Sequence, residues 1–140
     1  MKATLLAIAF IAFIASAAFA AEPVDVAFRS SLDGTEQRYV ENVPNDAASL
    51  AVRDVVIALH GHGSDRWQFI KETRGECKGV RDVAAKHGLI VVSPDYRAKT
   101  SWMGPKAEAD VVQIIAEMKR RHQVGRVFDA GGSMGGTSAL

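Results

Sequence analysis

After an apolar N-terminal run, apolar and polar positions are mixed from Val24 to Val43 and then give way to continuous apolar runs. Val24 to Ser31 and Thr35 to Val43 read as two strands joined across Asp33-Gly34, a good hairpin turn pair. Pro44-Asn45-Asp46 ends the second strand, and Ala47 to Val52 reads as a surface connection. Asp54 to Leu59 is a continuous apolar run, the pattern of a strand buried on both faces, and Leu89 to Ser93 is another, stopped by Pro94-Asp95. Between them, Asp65 and Gln68 form a capping-box pattern, and Gly75 and Gly79 break the segment that follows. A helix is predicted over Gly79 to His87, with Val80, Val83 and Ala84 on one face and Gly88 past its end. Tyr96 to Met103 is a loop. Pro105 suits the first turn of a longer helix, in which Ala107, Val111, Ile115 and Met118 recur at helical spacing beside Ile114. Arg126 to Ala130 is a short, mostly apolar strand, and Thr137 to Leu140 opens a further helix.

The predicted order is hairpin, strand, helix, strand, helix, strand. Such alternation with apolar strands implies an α/β class: a mostly parallel sheet with helices on both faces and an N-terminal hairpin.

The N-terminus changes the domain picture. Lys2 precedes an apolar run from Ala3 to Ala15, and Ala18 and Ala20 supply the small residues that signal peptidase requires. Residues 1–20 therefore read as a signal peptide and 21–140 as a single domain region, exported to the periplasm or beyond. An uncleaved anchor is the competing reading, because about 18 apolar residues can span a bilayer. The small-x-small end and alanine-rich run favour cleavage, which leaves no membrane attachment. Without Lys2 the chain carries 16 basic and 16 acidic side chains, so it has no nucleic-acid footprint. Cys77 is alone, which excludes an intrachain disulfide and points to a buried thiol before an intermolecular bridge.

The chemistry concentrates near the last residues. Gly131-Gly132-Ser133-Met134-Gly135-Gly136 matches G-x-S-x-G, a serine held on a sharp strand-to-helix turn so that its hydroxyl stands clear of the sheet. Ser133 is thus the candidate nucleophile, in need of a base and of backbone N–H donors for an oxyanion. One donor in this arrangement is the residue after the serine, Met134. His60-Gly61-His62-Gly63 follows an apolar strand where the second donor belongs, so His62 or Gly63 would supply it. A plain glycine turn and a metal site are the bland readings of these stretches; two histidines without further Cys or His ligands make a weak metal site. His60 reads as structural. His87 and His122 lie near helix ends, where imidazolium suits the dipole, and Glu108 and Asp110 lie early in their helix, where carboxylates do.

The stretches Leu59-His60-Gly61-His62-Gly63-Ser64-Asp65 and Gly131 to Gly136, with Ser93-Pro94-Asp95-Tyr96-Arg97 between them, resemble the α/β-hydrolase superfamily over roughly Tyr39 to Leu140. The likeness is to secreted esterases of the feruloyl and acetylxylan type and to prolyl-oligopeptidase-like hydrolases. It implies that Ser133 is the nucleophile, that His62, Gly63 and Met134 form the oxyanion hole, and that Trp102 borders an acyl or alcohol pocket. It also implies a small-molecule or polysaccharide-linked ester as substrate and chemistry that requires neither metal nor organic cofactor.

Triad order in this superfamily is serine, acid, histidine, yet all four histidines here precede Ser133. The acid and base are therefore expected beyond Leu140, and the sequence reads as the N-terminal part of a serine esterase that has little activity by itself. The alternatives are a peptidase of the prolyl-oligopeptidase type, or a short non-catalytic module in which His62 and Ser133 shape a ligand cleft.

Overall fold

The computed structural model describes residues 22–45, 52–97 and 102–140. The predicted leader peptide, most of the connection after Pro44 and the middle of the Tyr96–Met103 loop lie outside those residues. Among the described residues, five strands form one sheet: β1 (Val24–Arg29), β2 (Glu36–Asn42), β3 (Arg53–Leu59), β4 (Ile90–Pro94) and β5 (Val124–Gly131), in the order β1-β2-β4-β3-β5. The hairpin β1–β2 is antiparallel and joins β4 in antiparallel fashion, whereas β3 runs parallel to both β4 and β5. The mostly parallel sheet with an N-terminal hairpin is as expected.

Period-two alternation along the central strands divides the core. Val55, Ile57, Leu59, Ile90 and Val92 face one side, against Ala107, Val111, Ile114 and Met118 of α3 (Pro105–Arg121). Val56, Ala58 and Val91 face the other, against Phe69 of α1 (Gln68–Lys71) and Cys77 and Ala84 of α2 (Gly75–His87). Cys77 is wholly buried, and that burial pushes its thiol pKa up.

Several local expectations are corrected. The hairpin loop occupies residues 30–35 and is closed by Ser30 and Thr35, with Gly34 at φ +71° inside it, so the turn is longer than an Asp-Gly pair. α2 begins at Gly75, four residues before the predicted Gly79, because Gly75 and Gly79 both lie on its open face and leave Cys77 and Ala84 to the core. Val83 is consequently exposed. Gly88 does end the helix, in the left-handed conformation. The capping box is absent: Asp65 Oδ1 accepts from the Trp67 N–H at 2.9 Å, and the Gln68 side chain is engaged elsewhere.

Asp110 is not a solvated dipole partner. It is buried, with Oδ2 2.6 Å from Arg97 Nε, and Oδ1 accepts from Ser30 Oγ at 2.5 Å. Arg97 also reaches Asp33 at 2.8 Å, which ties the hairpin loop to α3. Arg66 does the same for β1: it bonds Asp25 at 2.8 Å and Asp95 at 2.9 Å. A third tie links Glu41 of β2 to Arg121 and His122 at the end of α3.

Candidate active site

β5 ends at Gly131 and a short helix, α4 (Met134–Ser138), starts at Met134, earlier than the predicted Thr137. Ser133 occupies the corner at φ +54°, ψ −118°, a conformation that L-residues rarely adopt. Such strain costs on the order of 1–3 kcal/mol and persists only where its surroundings enforce it. The surroundings here are glycines. A Cβ on Gly135 would lie 2.0 Å from the Leu59 carbonyl oxygen, and one on Gly131 would lie 2.3 Å from the Gly135 carbonyl. Both flanking glycines of G-x-S-x-G are therefore required by close approach: α4 is pressed onto the end of β3 and back onto β5. Ser133 itself is exposed, while the Met134 side chain is buried in the core and leaves its backbone at the helix start.

The same close approach carries the loop after β3 to the elbow. The Cα of Gly61 faces Ser133 so closely that an added Cβ would stand 3.3 Å from the Gly132 carbonyl and 3.7 Å from Ser133 Cβ. The loop is held by specific bonds. Tyr96 Oη donates to the His60 carbonyl at 2.5 Å, and burial pushes the Tyr96 phenol up to about 12, so it remains a donor. Ser64 N–H donates to the Gly61 carbonyl at 3.2 Å, and the Gly61 N–H donates to Gln68 Oε1 at 2.8 Å. His60 is fully buried between the Gly61 and Asp95 carbonyls, at 2.9 and 3.3 Å, which is a structural role. After these bonds, the N–H groups of His62 and Gly63 have no acceptor among the described residues; both residues are exposed, with Gly63 at φ +80°. Two free donors thus lie on the turn beside the candidate nucleophile.

The other expected residues are placed apart from this centre. Trp102 is exposed and lines a cleft of about 570 Å³ with Glu108, Asp129 and Thr137, along one flank of β5; Ser133 is not in its wall. His122 is bonded to Glu41 at 2.9 Å, and His87 ends α2. Among the described residues, no histidine is bonded to Ser133. Two neighbours of the elbow had no functional signal in the sequence. Gln68 reads in sequence as part of a capping box, and Glu76, whose Cγ would lie 3.5 Å from a Cβ on Gly132, belongs to no motif of the sequence.

No family model and no curated protein matches the chain. Solved structures do. A thermostable esterase superposes with a TM-score of 0.64 at 21% identity, covering 83% of this chain and 36% of that one. An S-formylglutathione hydrolase from Agrobacterium tumefaciens gives 0.63 at 20% identity, covering 84% and 50%. A ferulic acid esterase from Anaeromyces mucronatus, solved with ferulic acid, gives 0.63 at 18% identity, covering 89% and 53%. The chain spans about half, or less, of the length of these structures. At such identities the likeness is one of fold, and it coincides with the strand order and the glycine-bounded serine corner described above. The chain has the α/β-hydrolase fold, carried as far as the helix that follows Ser133.

Proposed function

We propose that the chain belongs to an exported serine hydrolase that cleaves carboxylic esters through an acyl-enzyme intermediate. The observation that carries this reading is the strained Ser133 corner with the His60–Gly63 turn packed directly against it. Ser133 Oγ attacks the ester carbonyl while an imidazole base takes its proton. The carbonyl oxygen gains negative charge and is held by the N–H groups of Met134 and of His62 or Gly63. Loss of one such donor typically costs about 3 kcal/mol of transition-state stabilisation. The tetrahedral intermediate then expels the alcohol, which receives the proton from the imidazolium, and water releases the acid by the reverse sequence. This chemistry requires no metal or organic cofactor, and the leader sequence supports export.

The fold neighbours named as esterases support an ester over an amide as substrate. In keeping with the serine-acid-histidine order, an acid and then a histidine C-terminal to Ser133 would complete the site.

The test uses the protein expressed from its complete reading frame. A fluorophosphonate probe is expected to label the wild type at Ser133 and not Ser133→Ala, and turnover of a short aryl ester is expected to fall by at least ~10³-fold in that variant. Equal turnover by the two proteins would sink the assignment. Hydrolysis of a prolyl amide with little action on esters would move it to a peptidase, and absence of labelling would leave a non-catalytic cleft.

A further inference from the structure

Gln68 is a polar side chain buried to 2% exposure at the first residue of α1, a helix of a single turn. Its burial needs a reason, since an unpaired carboxamide in a core costs roughly 1–3 kcal/mol. Both ends of the amide are used. Oε1 accepts from the Gly61 N–H at 2.8 Å, and Nε2 approaches Cys77 Sγ at 3.8 Å. The Gly61 donor fixes which way the amide points, because the opposite orientation would set two donors against each other. Gly61 is the residue that touches the Ser133 corner, and the next two N–H groups along the chain are the free ones.

We propose that Gln68 is the positioning residue of the oxyanion turn. By holding the Gly61 N–H it fixes the His60–Gly61 peptide, immediately before the Gly61–His62 peptide that carries the His62 N–H, and so anchors the start of the turn that sets the direction of that N–H relative to Ser133. Cys77 serves as the back-stop that keeps the carboxamide in place. The inference rests on the reading of Ser133 as the nucleophile of an ester hydrolase. It adds that the geometry of the oxyanion donors is set from α1 and α2 and not by the loop alone. A substrate carbonyl in the ground state makes little demand on that geometry, whereas the tetrahedral oxyanion makes a strict one, so the effect belongs in kcat.

The experiment compares Gln68→Met, which keeps the bulk and removes the acceptor, with wild type in the full-length protein on an aryl ester. The expected result is a fall in kcat of ~30-fold or more with KM within ~3-fold, alongside a similar loss in the rate of fluorophosphonate labelling. A kcat within ~2-fold of wild type overturns the proposal and leaves the Ser133 reading intact. No ester turnover by the wild type itself overturns both. Gln68→Glu is the second variant, for the case in which Gln68→Met does not fold. When protonated, the new carboxyl reproduces both bonds. When ionised, it places a negative charge behind the oxyanion. Its kcat is therefore expected to fall as pH rises through the carboxyl's ionisation, a limb absent from wild type. A pH profile parallel to wild type overturns the proposal.

Discussion

The residue on which everything turns is Ser133, and its backbone is as informative as its hydroxyl. A serine at φ +54° is held against its own preference by the contacts of α4 with β3. Glycine accepts that conformation, at an entropic cost of roughly 0.5–1 kcal/mol, while alanine retains the strain. Ser133→Gly is therefore expected to be more stable than Ser133→Ala by about 1 kcal/mol in thermal unfolding, although neither is labelled by the probe. Equal melting temperatures would show that the corner is relaxed. The serine corner was legible in the sequence because the glycines that its close packing requires stand in one short motif around Ser133. Gln68 was not, because Gly61 competes successfully for its side chain and the capping pattern with Asp65 is left unused. Asp110 was misread for a similar reason: its partners Arg97 and Ser30 lie far away in sequence.

At the scale of elements, the central strands were visible as apolar runs, since burial on both faces leaves no polar alternation to confuse the pattern. α2 was only half visible, because its two glycines lie on the exposed face, where they cost helix stability of about 1 kcal/mol each without disturbing the packed face. The hairpin reads plainly as strands, and it is attached by charges as well as by the β2–β4 ladder and the buried Tyr39 and Val40. The Arg66 hydrogen bond holds the Asp25 carboxyl below its usual range, and the Arg97 hydrogen bond does the same for Asp33. Carboxylates depressed in the folded state contribute stability that is complete above the unfolded value of about 3.9. That contribution is lost as pH falls through the lowered folded values. Hairpin amides of β1 and β2 are thus expected to lose exchange protection below about pH 4, ahead of the β3 and β4 amides. Arg66→Gln should reduce the part of this dependence that belongs to Asp25, leaving the smaller contribution of Arg38. Simultaneous loss of protection in all four strands would contradict the view that charge ties the hairpin to the core.

Across the whole molecule, the sheet is unevenly covered. β3 and β4 are enclosed, but β5 pairs only with β3 among the described residues and leaves Phe128 at 41% exposure. Clefts of about 570 and 530 Å³ run along its two flanks, and Asp129, whose carboxyl pKa is raised by partial burial, touches both. Val83 and Val112 are exposed on the helices of the two faces. An open strand edge with apolar flanks is a template for further pairing. Residues 22–140 expressed alone are therefore expected to self-associate with rising concentration in sedimentation velocity, and Phe128→Lys to reduce it. A strictly monomeric species at high concentration would count against the edge as a sticky surface. The expectation of a sheet covered on both faces holds for the centre and not for this edge, where Arg126 and Asp129 interrupt the apolar positions of β5.

The parallel pairing of β3 with β5 also sets an order in time. The two strands are separated by roughly 70 residues of chain, whereas β1 and β2 meet across a short loop. During synthesis the hairpin closes early. By contrast, β3 waits for β4 on one side and longer still for β5 on the other. The turn after β3 and the serine corner become neighbours only when that pairing closes, so the corner's strain is imposed by a frame already built. A nascent chain carries the His60–Gly63 turn before it has the serine corner that packs against it, and until β5 docks, β3 presents a bare edge on that side.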